Sequence, residues 1–304
     1  MKRVVLTLCM VLSAIFIVAG EMFTVGNYSF YPLSPSETAI VRANDSITSA
    51  NIPSTVTYQD TTYRVTRISS LAFLGCTALK DVTISEGVIS IGSLAFKKCS
   101  SLTSITIPST VTSIGDQVFE ECKSLISVMM SDGLENIGTN AFLECSSLTD
   151  ITIPTSVMNI GCDAFKGTGI YNNPSNWQNG ALYIDDCLIS VNADYVGEFV
   201  VVPNTHLIAD DAFCRARKVS SVVMPNTVTS IGNRAFWMCE LLQSITIPAS
   251  VKYIGDWALS VCTSLTSINF EGTTEEWSAI SKGDSWNYEV PATYVQCSDG
   301  QVKI

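Results

Sequence analysis

A phenylalanine recurs along this chain at a fixed interval of 23 residues. Other columns run in phase with it: a small residue just before the phenylalanine, an Ile-Gly pair upstream, and a cysteine and a leucine downstream. The column comprises Phe73, Phe96, Phe119, Phe142, Phe165, Phe213 and Phe236, and Leu259 takes the next position. A fixed period of about 20 to 50 residues is the signature of a repeat array. The expected architecture is therefore a stack of coils and not a single globular core.

Each unit predicts one short strand and one tight connection. Residues 102–107 predict the strand in the second coil, because the inward-facing Ile105 and Ile107 alternate with polar residues that face outward. Pro108 has no N–H to donate to a sheet, so it ends the strand. Residues 115–119 are too few for a free helix and predict a tight turn or a single helical turn.

Stacking lets each unit bury an apolar side that it cannot bury alone, with strands of a parallel sheet about 4.8 Å apart. Each column then forms a ladder through the core, and Phe119 is expected to contact Phe96 and Phe142. In the glycine column, Ser69 and Ala209 replace glycine in two coils. A position that demanded a positive φ would rarely accept alanine, so we expect this column to require small size.

The recurring unit Ile-Gly-x-x-Ala-Phe-x-x-Cys-x-x-Leu resembles the BspA-like leucine-rich repeat family, a bacterial type with 23-residue repeats. The resemblance covers about residues 52–270. It implies a β-rich repeat solenoid, a leucine-rich-repeat superhelix with a parallel sheet on the concave face, and secreted or surface proteins that bind other proteins. Thr110 occupies the slot where the general leucine-rich consensus has asparagine, so an asparagine ladder is not expected.

Both ends of a solenoid need caps, because a terminal coil would otherwise expose its core. Residues 21–67 lack the repeat columns and predict β-hairpins. Near the other end, Thr273 or Thr274 predicts a helix N-cap with acids in the first turn, and Trp277 and Ile280 are placed to cover the last coil. The predicted segments are a signal peptide at 1–20, an N-terminal β cap at 21–67, leucine-rich repeats at 68–170, a variant coil with a β-hairpin at 171–202, leucine-rich repeats at 203–270 and a C-terminal cap at 271–304.

The period breaks once, between Phe165 and Phe213, which are 48 residues apart. This separation is two periods plus two residues, so one regular coil is replaced by a variant coil. Asp185-Asp186 between two apolar runs predicts a two-residue hairpin. The variant coil supplies three aromatic candidates for ligand binding: Trp177, Tyr183 and Tyr195. Alternatively, these aromatic residues only pack the variant coil, as most buried aromatic side chains do.

Residues 1–20 predict a secretory signal peptide. Lys2 and Arg3 precede an apolar run at 4–18, and small residues follow it. This run is shorter than the roughly 20 residues of a membrane span, although an uncleaved N-terminal anchor is the alternative. No later segment predicts a transmembrane span, so we expect a mature chain that is secreted or at the cell surface.

The charge balance argues against a nucleic-acid partner. The chain carries 17 basic and 28 acidic residues, a net charge of −11, with no basic run. Binding to phosphate backbones needs clustered lysine and arginine.

Eleven cysteines in a chain expected to be secreted raise the question of disulfides. The side chains of column cysteines on adjacent coils are expected to lie parallel and not to point at one another, which favours free buried thiols. The alternative is a disulfide between two column cysteines such as Cys122 and Cys145. Four cysteines lie outside the column and have no predicted partner: Cys162, Cys187, Cys214 and Cys297. No Cys-x-x-Cys motif occurs, so neither a metal nor a cofactor is expected.

The sequence does not predict an enzyme. His206 is the only histidine and no serine or cysteine nucleophile is paired with it. The acidic pairs Asp185-Asp186 and Asp210-Asp211 resemble the paired carboxylates of glycosidases, but adjacent side chains usually diverge.

The outward strand positions form a second candidate surface. Most are serine or threonine, which favour a regular sheet and lack the tryptophan, tyrosine and arginine of energetic hot spots. Asp81, Met129 and Asp150 are the candidate binding residues on this surface.

These patterns predict a non-catalytic, secreted or cell-surface leucine-rich repeat protein that mediates protein–protein interaction or adhesion. Its expected partners are extracellular or host proteins. The alternative is a carbohydrate-binding accessory module that uses the aromatic residues of the variant coil and of the C-terminal cap to hold glycans.

Overall fold

The computed structural model describes residues 21–304, so the predicted signal peptide lies outside the described residues. The chain forms a β-solenoid of about 11 turns, and each regular turn contributes one longer and one shorter strand. The longer strands form two sheets, here called the first and second main sheets. The shorter strands form the first and second minor sheets, which the cap and hairpin strands extend. The solenoid predicted from the period is confirmed.

The main sheets are parallel apart from the last strand of the second, which pairs in antiparallel fashion with its neighbour. The first main sheet contains β4 (Ser49–Ile52), β7 (Asp81–Ile84), β9 (Ser104–Ile107), β11 (Ser127–Met130) and β13 (Asp150–Thr152). The second main sheet contains β18 (Gly197–Val200), β20 (Val219–Val223), β22 (Ser244–Ile247), β24 (Ser267–Phe270), β26 (Tyr294–Gln296) and β27 (Gln301–Lys303).

The minor sheets run along another side of each coil. The first contains β1 (Phe23–Val25), β2 (Tyr28–Ser34), β3 (Glu37–Ala43), β5 (Thr55–Tyr58), β6 (Thr61–Ile68), β8 (Ser90–Ile91), β10 (Ser113–Ile114), β12 (Asn136–Ile137) and β14 (Asn159–Ile160). The second contains β15 (Trp177–Gln178), β16 (Ala181–Ile184), β17 (Cys187–Val191), β19 (Leu207–Ile208), β21 (Ser230–Ile231), β23 (Tyr253–Ile254) and β25 (Ser281–Lys282).

The two described α-helices are short: α1 (Gly169–Asn172) and α2 (Thr274–Ala279). A 3₁₀ turn at Pro174–Asn176 follows α1. Across residues 21–304, no helix combines the length and the apolar character that a bilayer crossing requires.

Strand β9 shows the predicted alternation. Ile105 and Ile107 are buried, and the residues between and before them are exposed. The strand begins two residues later than the predicted range 102–107, because the Leu102 N–H donates to the Cys99 carbonyl and so belongs to the preceding turn. In-register pairing repeats the same position of the unit on neighbouring strands, as in Ile105 beside Val128.

The phenylalanine column forms a continuous stack through the first five coils. The ring of Phe119 lies 5.5 Å from that of Phe96 and 5.3 Å from that of Phe142, with nearly parallel planes. All of these rings are fully buried. Phe213 and Phe236 form a second stack at 4.6 Å after the variant coil. The predicted contacts of Phe119 are confirmed.

Glycines of the Ile-Gly column are required by close backbone approach. None has a positive φ, and a Cβ added at Gly115 would lie 2.5 Å from the backbone nitrogen of Ser93 in the preceding coil. The two coils that lack this glycine follow irregular segments of the chain. The Ser69 N–H donates to the Ile40 carbonyl of the cap, and the Ala209 N–H donates to a carbonyl of the hairpin strand β17. Small size, as predicted, is what this column needs.

Two ladders of polar side chains join successive coils. In the slot held by Thr110, a hydroxyl donates to a carbonyl of the coil before, with Thr110 Oγ1 to Val88 O at 2.8 Å. Ser156, Thr227 and Ser250 repeat this bond. In the position after the glycine, a side-chain oxygen accepts the backbone N–H of the same position one coil later, as Asp116 does from Thr139 at 2.8 Å. The slot that holds asparagine in the general leucine-rich consensus thus holds serine or threonine at these positions, and their hydroxyls join successive coils.

The parallel arrangement is interrupted at the variant coil. Strand β13 pairs only with β11, and β18 pairs only with β20, so the expected single main sheet is divided into two. Between them the antiparallel pair β16 and β17 turns at Asp185-Asp186, as the sequence predicts, with Asp185 at φ 47°. Along the sequence, the 3₁₀ turn comes about one 23-residue period after β13, where the next longer strand of a regular coil would be expected.

The ends of the solenoid are closed by irregular strands and by α2. β2 pairs in antiparallel fashion with β1 and β3, whereas β4 already pairs in parallel with β7 inside the range predicted as cap. Thr273 caps α2, and its hydroxyl and Glu276 form a reciprocal capping box. Trp277 and Ile280 are buried against the last coil, as predicted.

Ten cysteines lie in the described residues, and all ten are free thiols. The column cysteines are fully buried, and each thiol from Cys99 onward donates to a phenylalanine carbonyl of the preceding coil, as Cys145 Sγ does to Phe119 O at 3.0 Å. Burial raises the pKa of Cys99 and of Cys145 to about 12. The prediction of free buried thiols agrees with this geometry.

Candidate functional site

A cleft of about 790 Å³ opens where the variant coil replaces a regular one. It lies on the side of the coils that carries the Ala-Phe turns, not on a main sheet. Turn residues from the coils before and after the variant coil line it, together with residues of the variant coil itself. The lining residues are Cys162, Asp163, Lys166, Tyr171, Trp177, Ser190, Val191, Asn192, Ala193, Asp211, Cys214, Arg215, Arg234 and Trp237.

Helix α1 fixes the aromatic wall of this cleft. Thr168 caps the helix by accepting the Tyr171 N–H, at 3.1 Å. The Trp177 indole N–H donates to the Tyr171 carbonyl at 2.8 Å, and the two rings meet edge to face at 5.2 Å. A half-buried Trp177 is thereby held in one orientation with part of its surface in the cleft.

The charged side chains of the cleft are mostly paired. Lys166 bridges Asp163 at 2.9 Å. Arg234 holds Asp211 with two bonds, Nε to Oδ1 at 2.9 Å and Nη2 to Oδ2 at 2.6 Å, and this contact raises the pKa of Arg234. Arg215 instead lies over the indole of Trp237, with Cζ 5.4 Å from the ring, and no carboxylate of residues 21–304 lies within 4 Å of it.

Two thiols face the same carboxylate in the cleft. Cys162 and Cys214 are the half-buried cysteines of the described chain, and the other eight are buried. Burial, together with Asp211, raises the pKa of Cys162 to about 12 and that of Cys214 to about 11. Both thiols are therefore protonated and weakly nucleophilic at neutral pH.

The remaining acid and histidine candidates are engaged in the fold. Both carboxylate oxygens of Asp210 accept bonds from Asn233, at 2.7 and 2.9 Å, and burial raises the pKa of Asp210 to about 6. His206 places Nε2 3.1 Å from the Val157 carbonyl, and its buried Nδ1 has no partner. Nowhere in residues 21–304 do three histidine, cysteine or acidic side chains converge as metal ligands.

The three aromatic candidates of the variant coil are not brought together. Trp177 lines the cleft, whereas the Tyr183 hydroxyl accepts the Val202 N–H at 3.3 Å and its ring packs on the core. The Tyr195 hydroxyl donates to the Glu198 carbonyl at 2.9 Å, and its ring lines a separate shallow depression of about 400 Å³. Tyr183 and Tyr195 thus have packing contacts outside the cleft.

The candidates on the first main sheet face outward as expected. Asp81 and Asp150 are exposed and lie in one row, through Ser104 and Ser127. Met129 lies in the neighbouring row and is 61% exposed. Two further apolar residues of that second row, Val200 and Val223, lie side by side on the second main sheet.

Sequence reasoning missed most of the cleft. The overlooked residues are Lys166, Tyr171, Arg215, Arg234 and Trp237. Lys166 and Arg215 lie within two positions of the phenylalanines that flank the 48-residue gap, and Arg234 and Trp237 lie within two positions of the column phenylalanine one coil later. The signal was therefore present: when one coil is replaced, the turn residues beside the gap lose a neighbour and become the walls of a cavity.

The geometry defines a repeat solenoid with a cleft at an irregular coil. The family model for the BspA type leucine-rich repeat region matches residues 43–171 and 195–282 in 6 copies. The chain therefore belongs to the BspA type leucine-rich repeat family. No curated protein matches the chain.

Several solved structures are similar to this chain. A leucine rich cell surface protein from Faecalibacterium prausnitzii is 24% identical, with 87% of this chain and 98% of that chain covered and a TM-score of 0.44. The pneumococcal vaccine antigen PcpA is 17% identical, with 92% and 88% covered and a TM-score of 0.43. A leucine-rich repeat protein from Bacteroides capillosus is 29% identical, with 51% and 96% covered and a TM-score of 0.36.

Proposed function

We propose that this chain is a non-catalytic interaction protein, secreted or at the cell surface, that binds extracellular or host proteins. The observation that carries the proposal is the outward face of the two main sheets. It is a weakly charged surface of short side chains on which Met129, Val200 and Val223 are exposed, at 61%, 61% and 44%. Val200 and Val223 lie side by side and so form an apolar patch, and contiguous apolar patches are the surface feature that marks protein contact sites. Membership of a leucine-rich repeat family supports the same role.

Charge substitution on this face tests the proposal. The chain is coupled at high density to beads and exposed to extracellular matrix and serum proteins, because weak single contacts gain avidity from many copies. We expect specific capture by the wild type and its loss in Met129→Asp and Val223→Asp. Met158→Asp is the matched control, because Met158 is 57% exposed but lies outside the main sheets. Equal capture by all variants would contradict binding through this face.

The absence of catalysis is part of the proposal, and contacts of the candidate groups support it. Each carboxylate oxygen of Asp210 accepts a bond from Asn233, Asp211 is held by Arg234, and no carboxylate of residues 21–304 lies within 4 Å of His206. Reproducible turnover in a broad screen of glycoside and peptide substrates, lost in Asp211→Asn, would contradict it.

Secretion rests on the composition of residues 1–20. Expression with the native N-terminus, followed by mass spectrometry of the exported chain, is expected to show loss of about 20 residues. An exported chain of full length would indicate an uncleaved anchor instead.

A second candidate function is that of a carbohydrate-binding module. The observation that favours it is the cleft, in which the rings of Tyr171, Trp177 and Trp237 line one polar cavity. A glycan array tests it: we expect hits that disappear in Trp177→Ala. Trp257→Ala is the control, because Trp257 is 40% exposed and lies outside the cleft. Absence of hits, or hits that both variants retain, would contradict this candidate.

A further inference from the structure

The cleft at the variant coil combines aromatic faces with one cation that has no acidic partner among residues 21–304. Arg215 is that cation, because Lys166 and Arg234 are each bridged to a carboxylate. We propose that this cleft binds a sugar residue that bears a carboxylate, with Arg215 as the anion-binding side chain. The proposal rests on the second candidate function and names its ligand class.

The guanidinium of Arg215 is prepared for a planar anion. Its Cζ lies over the Trp237 ring, 5.4 Å from the centroid, and no carboxylate of the described chain lies within 4 Å of its N–H groups. Guanidinium groups bind carboxylates through two parallel hydrogen bonds, and stacking restricts the rotation that would otherwise oppose this. The aromatic contact therefore supports recognition of a carboxylate and not only packing.

The rest of the cleft suits a sugar ring. The edge-to-face contact with Tyr171 and the indole hydrogen bond keep Trp177 rigid, and its free surface can lie against the apolar face of a pyranose. Ser190 and Asn192 line the same cavity and supply polar groups for ring hydroxyls. A volume of about 790 Å³ lies in the range of small-ligand pockets, roughly 300 to 1,000 Å³.

The charge of the whole chain selects a singly charged ligand. A net charge of −11 repels polyanions at long range, whereas one unpaired arginine offers one local site for an anion. A neutral sugar would leave the Arg215 guanidinium without an acidic partner, because no carboxylate of the described chain lies within 4 Å of it. A terminal sugar with a single carboxylate satisfies both conditions.

Titration calorimetry with glucuronic acid and with glucose, its neutral parent, tests the inference. We expect glucuronic acid to bind at least about tenfold more tightly than glucose. This difference corresponds to the one charged contact, between carboxylate and Arg215, that glucose cannot make. Arg215→Gln is expected to abolish this preference, and Arg215→Lys to retain part of it, because the charge stays while the fork is lost. Arg217→Gln is the control, since Arg217 bridges Glu240 at 3.2 Å and does not line the cleft.

Each outcome separates this inference from the function beneath it. Equal binding of the two sugars by the wild type, still lost in Trp177→Ala, would overturn carboxylate recognition and leave the carbohydrate-binding module standing. Preference for the acid that survives in Arg215→Gln would overturn the role of Arg215. No binding of either sugar, together with an empty glycan array, would overturn both. Thermal unfolding is measured for every variant, and an unfolding midpoint equal to that of the wild type excludes misfolding as the cause of lost binding.

Discussion

The thiol of Cys122 donates a hydrogen bond to the backbone carbonyl of Phe96, one coil earlier, over 3.1 Å. The same bond recurs at Cys99, Cys145, Cys239 and Cys262. Each of these carbonyls also accepts a backbone N–H within its own turn, as Phe96 O does from Cys99 N at 3.1 Å, so the thiol supplies a second bond that joins neighbouring coils. A disulfide between adjacent column cysteines would remove both thiol donors and leave each of the two carbonyls with its backbone bond alone.

Replacing Cys122 by alanine is expected to lower the free energy of unfolding by about 1–2 kcal/mol, through a small cavity and the loss of the thiol's bond to the Phe96 carbonyl. Denaturant unfolding of the variant and wild type measures the difference. Cys162→Ala is the control, because this half-buried thiol makes no bond to a phenylalanine carbonyl and should change stability by less than about 0.5 kcal/mol. Similar losses in the two variants would contradict the role of the bond.

The glycine column predicts a stronger effect. A methyl group at Gly115 would lie 2.5 Å from the Ser93 nitrogen and 2.8 Å from the Gly92 carbonyl carbon, so neighbouring coils must separate. We expect Gly115→Ala to destabilise the chain by about 2–3 kcal/mol or more. In Gly300→Ala the nearest atom would be Thr274 Cγ2 at 3.6 Å, an ordinary contact, and stability should be nearly unchanged. Thermal unfolding compares them, and a tolerated Gly115→Ala would show that the coils can move apart.

The regular coils could be predicted from sequence because their physics is periodic. In-register stacking places identical positions of neighbouring units in contact, so the spacing from Phe96 to Phe119 is itself a contact prediction. The hairpin at Asp185-Asp186 and the capped helix after Thr273 were equally accessible, because turn and cap chemistry is local. The sequence did not predict the hydroxyl ladder through Thr110. Threonine in place of the consensus asparagine does not reveal which backbone group its side chain will reach.

The candidate site could be predicted only in part. Trp177 was identified because it lies in the irregular coil, but Arg215 and Trp237 lie in regular coils and resemble ordinary turn residues in sequence. What distinguishes them is a missing neighbour, which depends on how the variant coil folds back. That arrangement follows from the 3₁₀ turn and from the β16–β17 hairpin, which no column of the repeat constrains.

Asp210 predicts a pH-dependent stability. Its pKa is about 6 in the folded chain against 3.8 for the free group, chiefly because it is buried. The folded chain therefore binds more protons than the unfolded chain between these values, and stability falls as pH rises from about 4 to 6, by at most about 3 kcal/mol. Above about pH 6 this loss is complete.

Urea unfolding across pH 4–7 checks this dependence in the wild type and in Asp210→Asn. We expect the variant to lack the fall between pH 4 and 6, because asparagine does not titrate. Asp256→Asn, at the same ladder position but exposed, should keep the wild-type profile. Parallel profiles for the wild type and Asp210→Asn would exclude Asp210 as the source.

Thiol labelling should report directly on the cleft. Cys162 and Cys214 are expected to react before the eight buried cysteines, yet more slowly than a free cysteine, because burial and Asp211 raise the pKa of both thiols. Asp211→Asn removes the opposing charge while keeping a residue that tolerates its φ of 58°, so alkylation at both sites should accelerate. Mass spectrometry of peptides after timed alkylation at pH 8.5 measures the rates. Asp194→Asn, outside the cleft, should leave them unchanged. An unaltered rate in Asp211→Asn would show that burial alone holds the two thiols protonated.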